Sequence, residues 1–500
     1  MTMNSFASTK ATQLLSKKFT DFNYNTLGKT DLLVSEVGFG GRKIDIRSPL
    51  NRDALKKALL SGINLIDTSS NYTDGNSETL IGEVLTEIVN ADILSRESVV
   101  IVTKGGCLQG ENYDLSRERK EDNIPFPELV EIKEGFEYCI HPECLDEQIR
   151  ISLERMNLKT IDIYLIQKPE YYLKWAKNKK IDKETARNKL YTQLKKAFEY
   201  LEKEVQKGRI KHYGLSSNTF TRDTGEYDFI SLEKIISISD EISPYNHFDV
   251  IEFPMNLFEK EAILKKNQSN NMSLLDLAKK KNLGVLIGSP LNVKFNNKSL
   301  KLAKPVVPAV PTKEIIDAEF IAISKLEKII VKKLTLLENT EILSEVKNNL
   351  FVFEELNNNW QDFKDIFDWK NKLNKHYLPR FHYYKNYIKN NSLKNEELEM
   401  DLYSCTFKVG RLFSLISAYW ENEYSKFTDK IHSELVDSIP EFDKATKLSN
   451  MAIRALRSTE GITSVLVGMT KVPYVYDVIN ELKHPVNKSF DWNKINITVD

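Results

Sequence analysis

The sequence is short of cysteine, of long apolar runs and of any excess of one charge, and each shortage excludes a class of protein. Four cysteines in 500 residues are too few for a disulfide framework, which indicates a reducing compartment. No apolar run approaches the roughly 20 residues that cross a bilayer, so no membrane-spanning segment is expected. The 71 basic residues balance the 71 acidic ones, which argues against binding nucleic acid or anionic lipid through overall charge. We therefore expect a globular, cytoplasmic protein.

The N-terminal residues allow two interpretations. Residues 1–20 carry Lys10, Lys17 and Lys18 among several serines and threonines, and no acidic residue precedes Asp21. Organellar targeting is not excluded by this composition, although transit peptides are rich in arginine and this stretch has none. The prediction adopted is a poorly ordered tail over residues 1–22, ahead of the fold.

From residue 34 onward, short β-branched runs alternate with longer amphipathic stretches, which is typical of repeated β/α units around a parallel sheet. In the helical stretch Glu143–Met156, for example, Leu145, Ile149, Leu153 and Met156 line one face. The candidate strands are Val34–Gly38, Ile63–Ile66, Val99–Thr103, Ile161–Ile166, Ile210–Gly214, Val250–Phe253, Gly284–Ile287 and Ser464–Val467. Eight such units predict an α/β fold of the (β/α)8 barrel type, with its active site at the carboxyl ends of the strands.

The alternation breaks once, after the seventh candidate strand. Prolines at every third position from Pro305 to Pro311 predict an extended segment. Residues 313–447 then show helical stripes and no convincing strand pattern. The predicted organisation is a barrel over 23–312, a helical insertion over 313–447, and barrel completion over 448–500. An insertion in a βα loop lies on the active-site face, which favours a lid or a platform for a protein partner.

Three polar residues at consecutive strand ends form the clearest chemical cluster. Asp67 directly follows one strand, Tyr72 lies in the next loop, and Lys104 ends the following strand. A nearby ammonium favours the phenolate and lowers a tyrosine pKa by about 1–3 units, and Asp67 would keep the lysine charged. The cluster therefore predicts a general acid–base for a carbonyl or alcohol oxygen. The alternative is a strand-end ion pair beside a surface tyrosine.

Several separate motifs resemble the aldo-keto reductase family and occur in family order over roughly residues 24–292 and 448–482. The motifs are Val37-Gly38-Phe39-Gly40-Gly41, Asn64-Leu65-Ile66-Asp67-Thr68, Val102-Thr103-Lys104, Tyr213-Gly214-Leu215-Ser216-Ser217-Asn218, Ser289-Pro290-Leu291 and Gly461-Ile462-Thr463-Ser464-Val465-Leu466-Val467-Gly468. The resemblance implies NADP(H) as cofactor, with NAD(H) not excluded, and hydride transfer to or from a small carbonyl or alcohol substrate.

The resemblance also assigns site residues. Asp67, Tyr72 and Lys104 match three members of the family's catalytic tetrad, and Gln167 stands where the family usually has histidine. Glutamine still donates an N–H to a substrate oxygen, but it exchanges no proton at neutral pH. The remaining assignments are to the cofactor: Gly40, Ser217, Asn218, Glu252, Ser289, Leu291, Gly468 and Lys471.

Other chemistries are less well supported by the sequence. No dinucleotide fingerprint opens a helix after a strand, since the glycines from Gly105 to Gly110 lack that context. Cys139, His141 and Cys144 lack a second Cys/His pair at a suitable spacing, so no metal site is predicted. The expected function is an NAD(P)(H)-dependent oxidoreductase that acts on a small molecule. A cofactor-binding regulatory or scaffold protein with weak turnover is the alternative, because of Gln167.

Overall fold

The computed structural model describes residues 3–295, 298–305, 309–336, 352–391 and 395–497. The chain divides into two compact units. Residues 1–301 and 449–496 form the first unit, called here the barrel unit. Residues 302–448 and 497–500 form the second, called the helical unit.

The barrel unit is built on eight parallel strands that close on themselves, which confirms the predicted (β/α)8 barrel. In order around the barrel they are β10 (Ile210–Ser216), β11 (Phe248–Pro254), β12 (Gly284–Gly288), β15 (Ser464–Val467), β3 (Val37–Gly40), β4 (Leu65–Asp67), β5 (Val100–Gly105) and β9 (Ile161–Gln167). Every residue of β5 and β9 is buried, because side chains fill the interior and helices cover the outside.

The remaining strands form small antiparallel sheets. A hairpin pairs β1 (Tyr24–Thr26) with β2 (Leu33–Ser35), and another pairs β13 (Asn292–Phe295) with β14 (Lys298–Lys301). Between β5 and β9 lies a sheet of β6 (Cys107–Leu108), β7 (Val130–Lys133) and β8 (Phe136–Tyr138), which the sequence did not predict. The first predicted strand, Val34–Gly38, is also misplaced. It spans β2 and β3, which separate at Glu36, where that carboxylate pairs with Arg457 at 2.8 Å.

Helices connect the strands of the barrel unit. They are α1 (Thr9–Lys18), α2 (Pro49–Leu60), α3 (Asn76–Asn90), α4 (Glu111–Glu121), α5 (Pro142–Met156), α6 (Glu170–Asn178), α7 (Lys183–Gln206), α8 (Leu232–Ile242), α9 (Glu261–Leu264) and α10 (Leu274–Lys280), followed after the helical unit by the helix Leu448–Arg457 and the helix Val472–Leu482. In α5, Leu145, Ile149 and Met156 are fully buried, as its apolar spacing predicts.

The N-terminal segment is not a tail, so this prediction is wrong for the described residues from Met3 onward. Ser8 caps α1 by accepting a hydrogen bond from the Ala11 N–H, and Leu15 is buried. The Ala7 N–H donates to Asp162 Oδ1 at 2.6 Å, and Asp162 also pairs with Arg96 at 2.8 Å. These long-range contacts attach the N-terminal segment to the start of strand β9, and no local sequence pattern reveals them.

The helical unit contains α11 (Lys313–Leu336), α12 (Val352–Asn359), α13 (Ile366–Lys372), α14 (Leu378–Asn391) and α15 (Glu396–Ser438). Apolar stripes of α11 and α15, such as Ile316–Ile323 and Val409–Ile416, supply buried side chains. The Trp369 indole N–H donates to Ser417 Oγ at 2.8 Å. The proline-rich extended segment cannot be followed throughout, because residues 306–308 lie outside the described residues. Across the described ranges, no helix has the length and apolar character that a bilayer crossing requires.

We expect the barrel unit to fold without the helical unit. Its eight strands close on one another, and its helices bury apolar faces of their own. Residues 302–448 would be replaced by a Gly/Ser linker of about 10 residues. The circular dichroism spectrum should then show both helix and strand, and its thermal melt should show one cooperative transition. An aggregated product, or a melt without cooperativity, would mean that the helical unit is required for the barrel's core.

Candidate active site

Polar residues collect where the parallel strands end, at one rim of the barrel. Asp67 is the last residue of β4, Lys104 is next to last in β5, and Gln167 ends β9. Tyr72 begins a short 3₁₀ turn after β4. Thr73 and Asp74 follow it with left-handed φ angles of 47° and 55°, which non-glycine residues rarely adopt. The turn therefore holds the tyrosine in a locally constrained backbone.

Lys104 is the centre of the cluster and is fully buried. Its ammonium pairs with Asp67 and donates to the Thr68 carbonyl at 3.0 Å. Glu252 Oε2, from β11, lies 3.1 Å from the same nitrogen. The Tyr72 ring centroid lies 5.2 Å away. The structure thus brings together the three residues predicted from strand-end spacing and adds a second carboxylate to the lysine.

Burial dominates the electrostatics of this cluster. It raises the pKa of Asp67 well above its ordinary range, and Lys104 offsets only part of that shift. Burial alone would lower the pKa of Lys104. Asp67, Glu252 and Tyr72 together raise it by more than burial lowers it, so the lysine stays charged. For Tyr72, burial raises the pKa and exceeds the lowering by Lys104. The predicted net lowering of the tyrosine pKa is therefore wrong, although the lysine acts in the expected direction.

Gln167 is buried beside this cluster. The Ser69 hydroxyl, which has one proton to donate, lies 3.2 Å from the Gln167 carboxamide oxygen and 2.8 Å from Asn71 Oδ1, so these two acceptors share it. Because the oxygen is held by Ser69, the amide NH₂ is the end of the side chain that remains as a donor toward another acceptor.

Ser217 and Asn218 follow β10 and share a partner that the sequence did not single out. The Ser217 hydroxyl donates to Glu170 Oε2 at 2.9 Å, and the Asn218 N–H donates to Glu170 Oε1 at 3.0 Å. Glu170 is fully buried, and Asn218 is exposed. The position of Glu170, three residues beyond a strand end, was the only signal available. The arrangement commits the Ser217 hydroxyl to a carboxylate and leaves the Asn218 side chain at the surface.

Of the other residues assigned to the cofactor, Gly40 ends β3 and Glu252 lies in β11, where it pairs with Lys104. Ser289 and Leu291 follow β12, and Gly468 and Lys471 follow β15. A Cβ added at Gly468 would meet nothing nearer than the Gly40 carbonyl at 4.0 Å, so the backbone here borders open space. Ser289 has a left-handed φ of 53°, and Leu291 is half-buried. Lys471 is exposed and has no ion-pair partner within the part of the chain that the structure describes. Among those same residues, no group of three or more His, Cys, Asp or Glu side chains is arranged to hold a metal ion.

Comparison with known proteins assigns the chain to a family. Residues 36–330, more than half of the 500, match the model of the aldo/keto reductase family. The chain belongs to the aldo/keto reductase family.

Individual relatives are distant and match in part. The NADH-specific methylglyoxal reductase of Escherichia coli K12 is 31% identical over 147 residues, which cover 28% of this chain and 40% of that protein. The L-galactose dehydrogenase of Arabidopsis thaliana is 25% identical over 277 residues, which cover 54% of this chain and 66% of that protein. The chain thus spans less than two thirds of the length of either relative. An aldo-keto reductase from Bacillus halodurans, solved in its holo form, aligns over 95% of both chains with 14% identity and a TM-score of 0.46.

Proposed function

We propose that the protein is an NAD(P)(H)-dependent oxidoreductase that interconverts a small carbonyl compound and its alcohol. The observation that carries this proposal is the buried Asp67–Lys104 pair beneath the Tyr72 ring at the carboxyl rim of the barrel. Family membership supports it, and so do the reductase and dehydrogenase names of the two relatives described above.

The residues at the rim fit a dinucleotide in part. The open backbone at Gly468 and the exposed ammonium of Lys471 suit a phosphate-bearing group, and the exposed Asn218 amide suits a carboxamide. Ser217 fits less well, because its hydroxyl already donates to Glu170. A bound nicotinamide dinucleotide would supply the hydride. NADP(H) is preferred here because of Lys471, and NAD(H) is the alternative.

In the reductive direction, Tyr72 donates its phenolic proton to the substrate oxygen. Its raised pKa keeps it protonated at neutral pH, as a general acid must be. The Lys104 ammonium, 5.2 Å from the ring, stabilises the phenolate that forms. Asp67 and Glu252 hold that ammonium in place. The Gln167 amide donates a hydrogen bond to the same substrate oxygen and orients it without exchanging a proton.

A cofactor-binding protein with weak or no turnover is the second candidate, and Gln167 favours it. A titratable residue at that position would contribute on the order of 10²–10⁴ in rate, if it took part in proton transfer. Both candidates require dinucleotide binding, so turnover separates them.

We expect saturable binding of NADPH, and weaker binding of NADH. Titration of the purified full-length chain by nicotinamide fluorescence measures both. Lys471→Gln should weaken the binding of NADPH more than that of NADH, because it removes a cation proposed to bind the 2′-phosphate, which NADPH has and NADH lacks. Lys483→Gln is the matched control, since that lysine pairs with Asp21 at 2.9 Å and should leave both affinities unchanged. Absence of binding by either dinucleotide at millimolar concentration would refute both candidates.

A further inference from the structure

Lys168 lies at the carboxyl end of β9, directly after Gln167, and the mechanism above gives it no role. Its φ of 49° is in the left-handed region, which a lysine rarely adopts. Its N–H donates to the Ser216 carbonyl at 2.6 Å, at the end of the neighbouring strand β10. Backbone of this kind persists where the surroundings hold it, and it concentrates at ligand sites. The start of the Lys168 side chain is therefore held at the rim.

The Lys168 ammonium has no ion-pair partner within the described ranges. It lies 5.7 Å from the Tyr171 ring centroid, and its side chain is half-buried. Two carboxylates, Glu170 and Glu252, act on the Lys168 ammonium by longer-range electrostatics, and each has nearer partners. Glu170 accepts from Ser217 and the Asn218 N–H, and Glu252 pairs with Lys104. Lysine is rarely buried without a partner, so an anionic ligand would offset the desolvation of this ammonium.

Arg42 supplies a second cation on the same rim, in the loop after β3. It is exposed and has no ion pair within the described part of the chain. Burial raises the pKa of Tyr72 and lowers that of Lys168, and the Arg42 guanidinium lowers both. Arg42 is therefore within electrostatic reach of the proposed acid and of Lys168.

We propose that the substrate carries an anionic group, a carboxylate or a phosphate, which Lys168 and Arg42 bind while its carbonyl lies beside Tyr72 and Gln167. This inference rests on the proposed function, because it names the class of substrate for the same site. Lys168 contributes more than Arg42, since a half-buried ammonium is less screened by water than an exposed guanidinium.

The anion bound by Lys168 could belong to the substrate or to the cofactor, because a dinucleotide also carries phosphates, and the two sources give different results. If the substrate is the source, Lys168→Gln weakens the binding of anionic substrates and leaves the dissociation constants of NADPH and NADH unchanged. If the cofactor is the source, those constants rise, and the proposal is overturned.

The test compares paired aldehydes in steady-state reduction by the full-length chain. 4-Oxobutanoate is paired with butanal, and glyceraldehyde 3-phosphate with glyceraldehyde, so the two pairs separate a carboxylate from a phosphate. The wild type should favour at least one anionic member in kcat/KM. Lys168→Gln should reduce that preference by about 10- to 100-fold, as expected for a charge-assisted hydrogen bond. Lys168→Arg should retain much of it.

Lys174→Gln is the matched control, because the Lys174 ammonium also lies near the Tyr171 ring, at 5.3 Å, but sits one turn into α6. It should leave the preference unchanged. A wild type that prefers the neutral aldehydes, or a Lys174→Gln effect equal to that of Lys168→Gln, would overturn the proposal.

If no aldehyde is turned over, the proposed function fails and the inference is tested by binding alone. Succinate and inorganic phosphate are then titrated calorimetrically into the protein with saturating dinucleotide, or into the free protein if no dinucleotide binds. Binding of either anion by the wild type, and its loss in Lys168→Gln, would support the inference. Equal binding by both proteins, or no binding by the wild type, would overturn it.

Discussion

Replacing Tyr72 by phenylalanine should lower kcat by a factor on the order of 10²–10⁴, because it removes the only proton that the proposed mechanism transfers. Phenylalanine keeps the ring above Lys104, where the centroid lies 5.2 Å from the ammonium, so packing is retained. The dissociation constant for the dinucleotide should therefore change little. Single-turnover reduction of an aldehyde, followed by loss of nicotinamide absorbance, measures the chemical step directly.

Tyr164→Phe is the matched control for this variant. Tyr164 is fully buried in β9, and its hydroxyl has no hydrogen-bond partner among the described residues. Removing that hydroxyl costs no native hydrogen bond, so the turnover and the fold should persist. If Tyr72→Phe keeps full turnover, another group supplies the proton, and the acid–base assignment fails.

Elements with strong local patterns were predicted well from the sequence. Strands such as Ile161–Gln167 are rich in apolar residues because both of their faces are buried, and eight such segments alternating with helical stretches predict the barrel. The N-terminal segment was not predicted, because the contact between Ala7 and Asp162 joins residues 155 positions apart. The same holds for Glu36, whose partner Arg457 is 421 positions away.

In the candidate site, too, local spacing was predictive and long-range contacts were not. Strand-end spacing was enough to bring Asp67, Tyr72 and Lys104 together, because parallel strands present their ends to one rim. The direction in which the Tyr72 pKa shifts was not predictable from the sequence, since it depends on how completely tertiary packing removes water from the phenol. Nor could spacing reveal that Glu252 is a second carboxylate on Lys104, or that Glu170 accepts a hydrogen bond from Ser217, because the two members of each pair belong to different β/α units.

Replacing Lys104 by methionine should lower the free energy of unfolding by about 3–5 kcal/mol at pH 8, since it leaves buried charge without its partner. Two carboxylates, Asp67 and Glu252, would then face each other with no cation between them. The loss should be smaller at pH 5, because one of the two can take up a proton. Urea denaturation at the two pH values, followed by circular dichroism, measures both quantities.

The sign of this pH dependence follows from the direction of the Asp67 shift. Burial already raises its folded-state pKa above the ordinary 3.8, so the folded protein binds more protons than the unfolded chain above that pH. Stability therefore falls as the pH rises from 3.8 toward the raised value. Lys104 opposes the shift, so removing it raises the folded pKa further and widens the pH range over which stability is lost. Adding Glu252→Gln to Lys104→Met should recover part of the loss at pH 8, because only one buried carboxylate remains. Equal stability of Lys104→Met at pH 5 and pH 8, with no recovery in the double variant, would show that the two carboxylates do not share one buried cation.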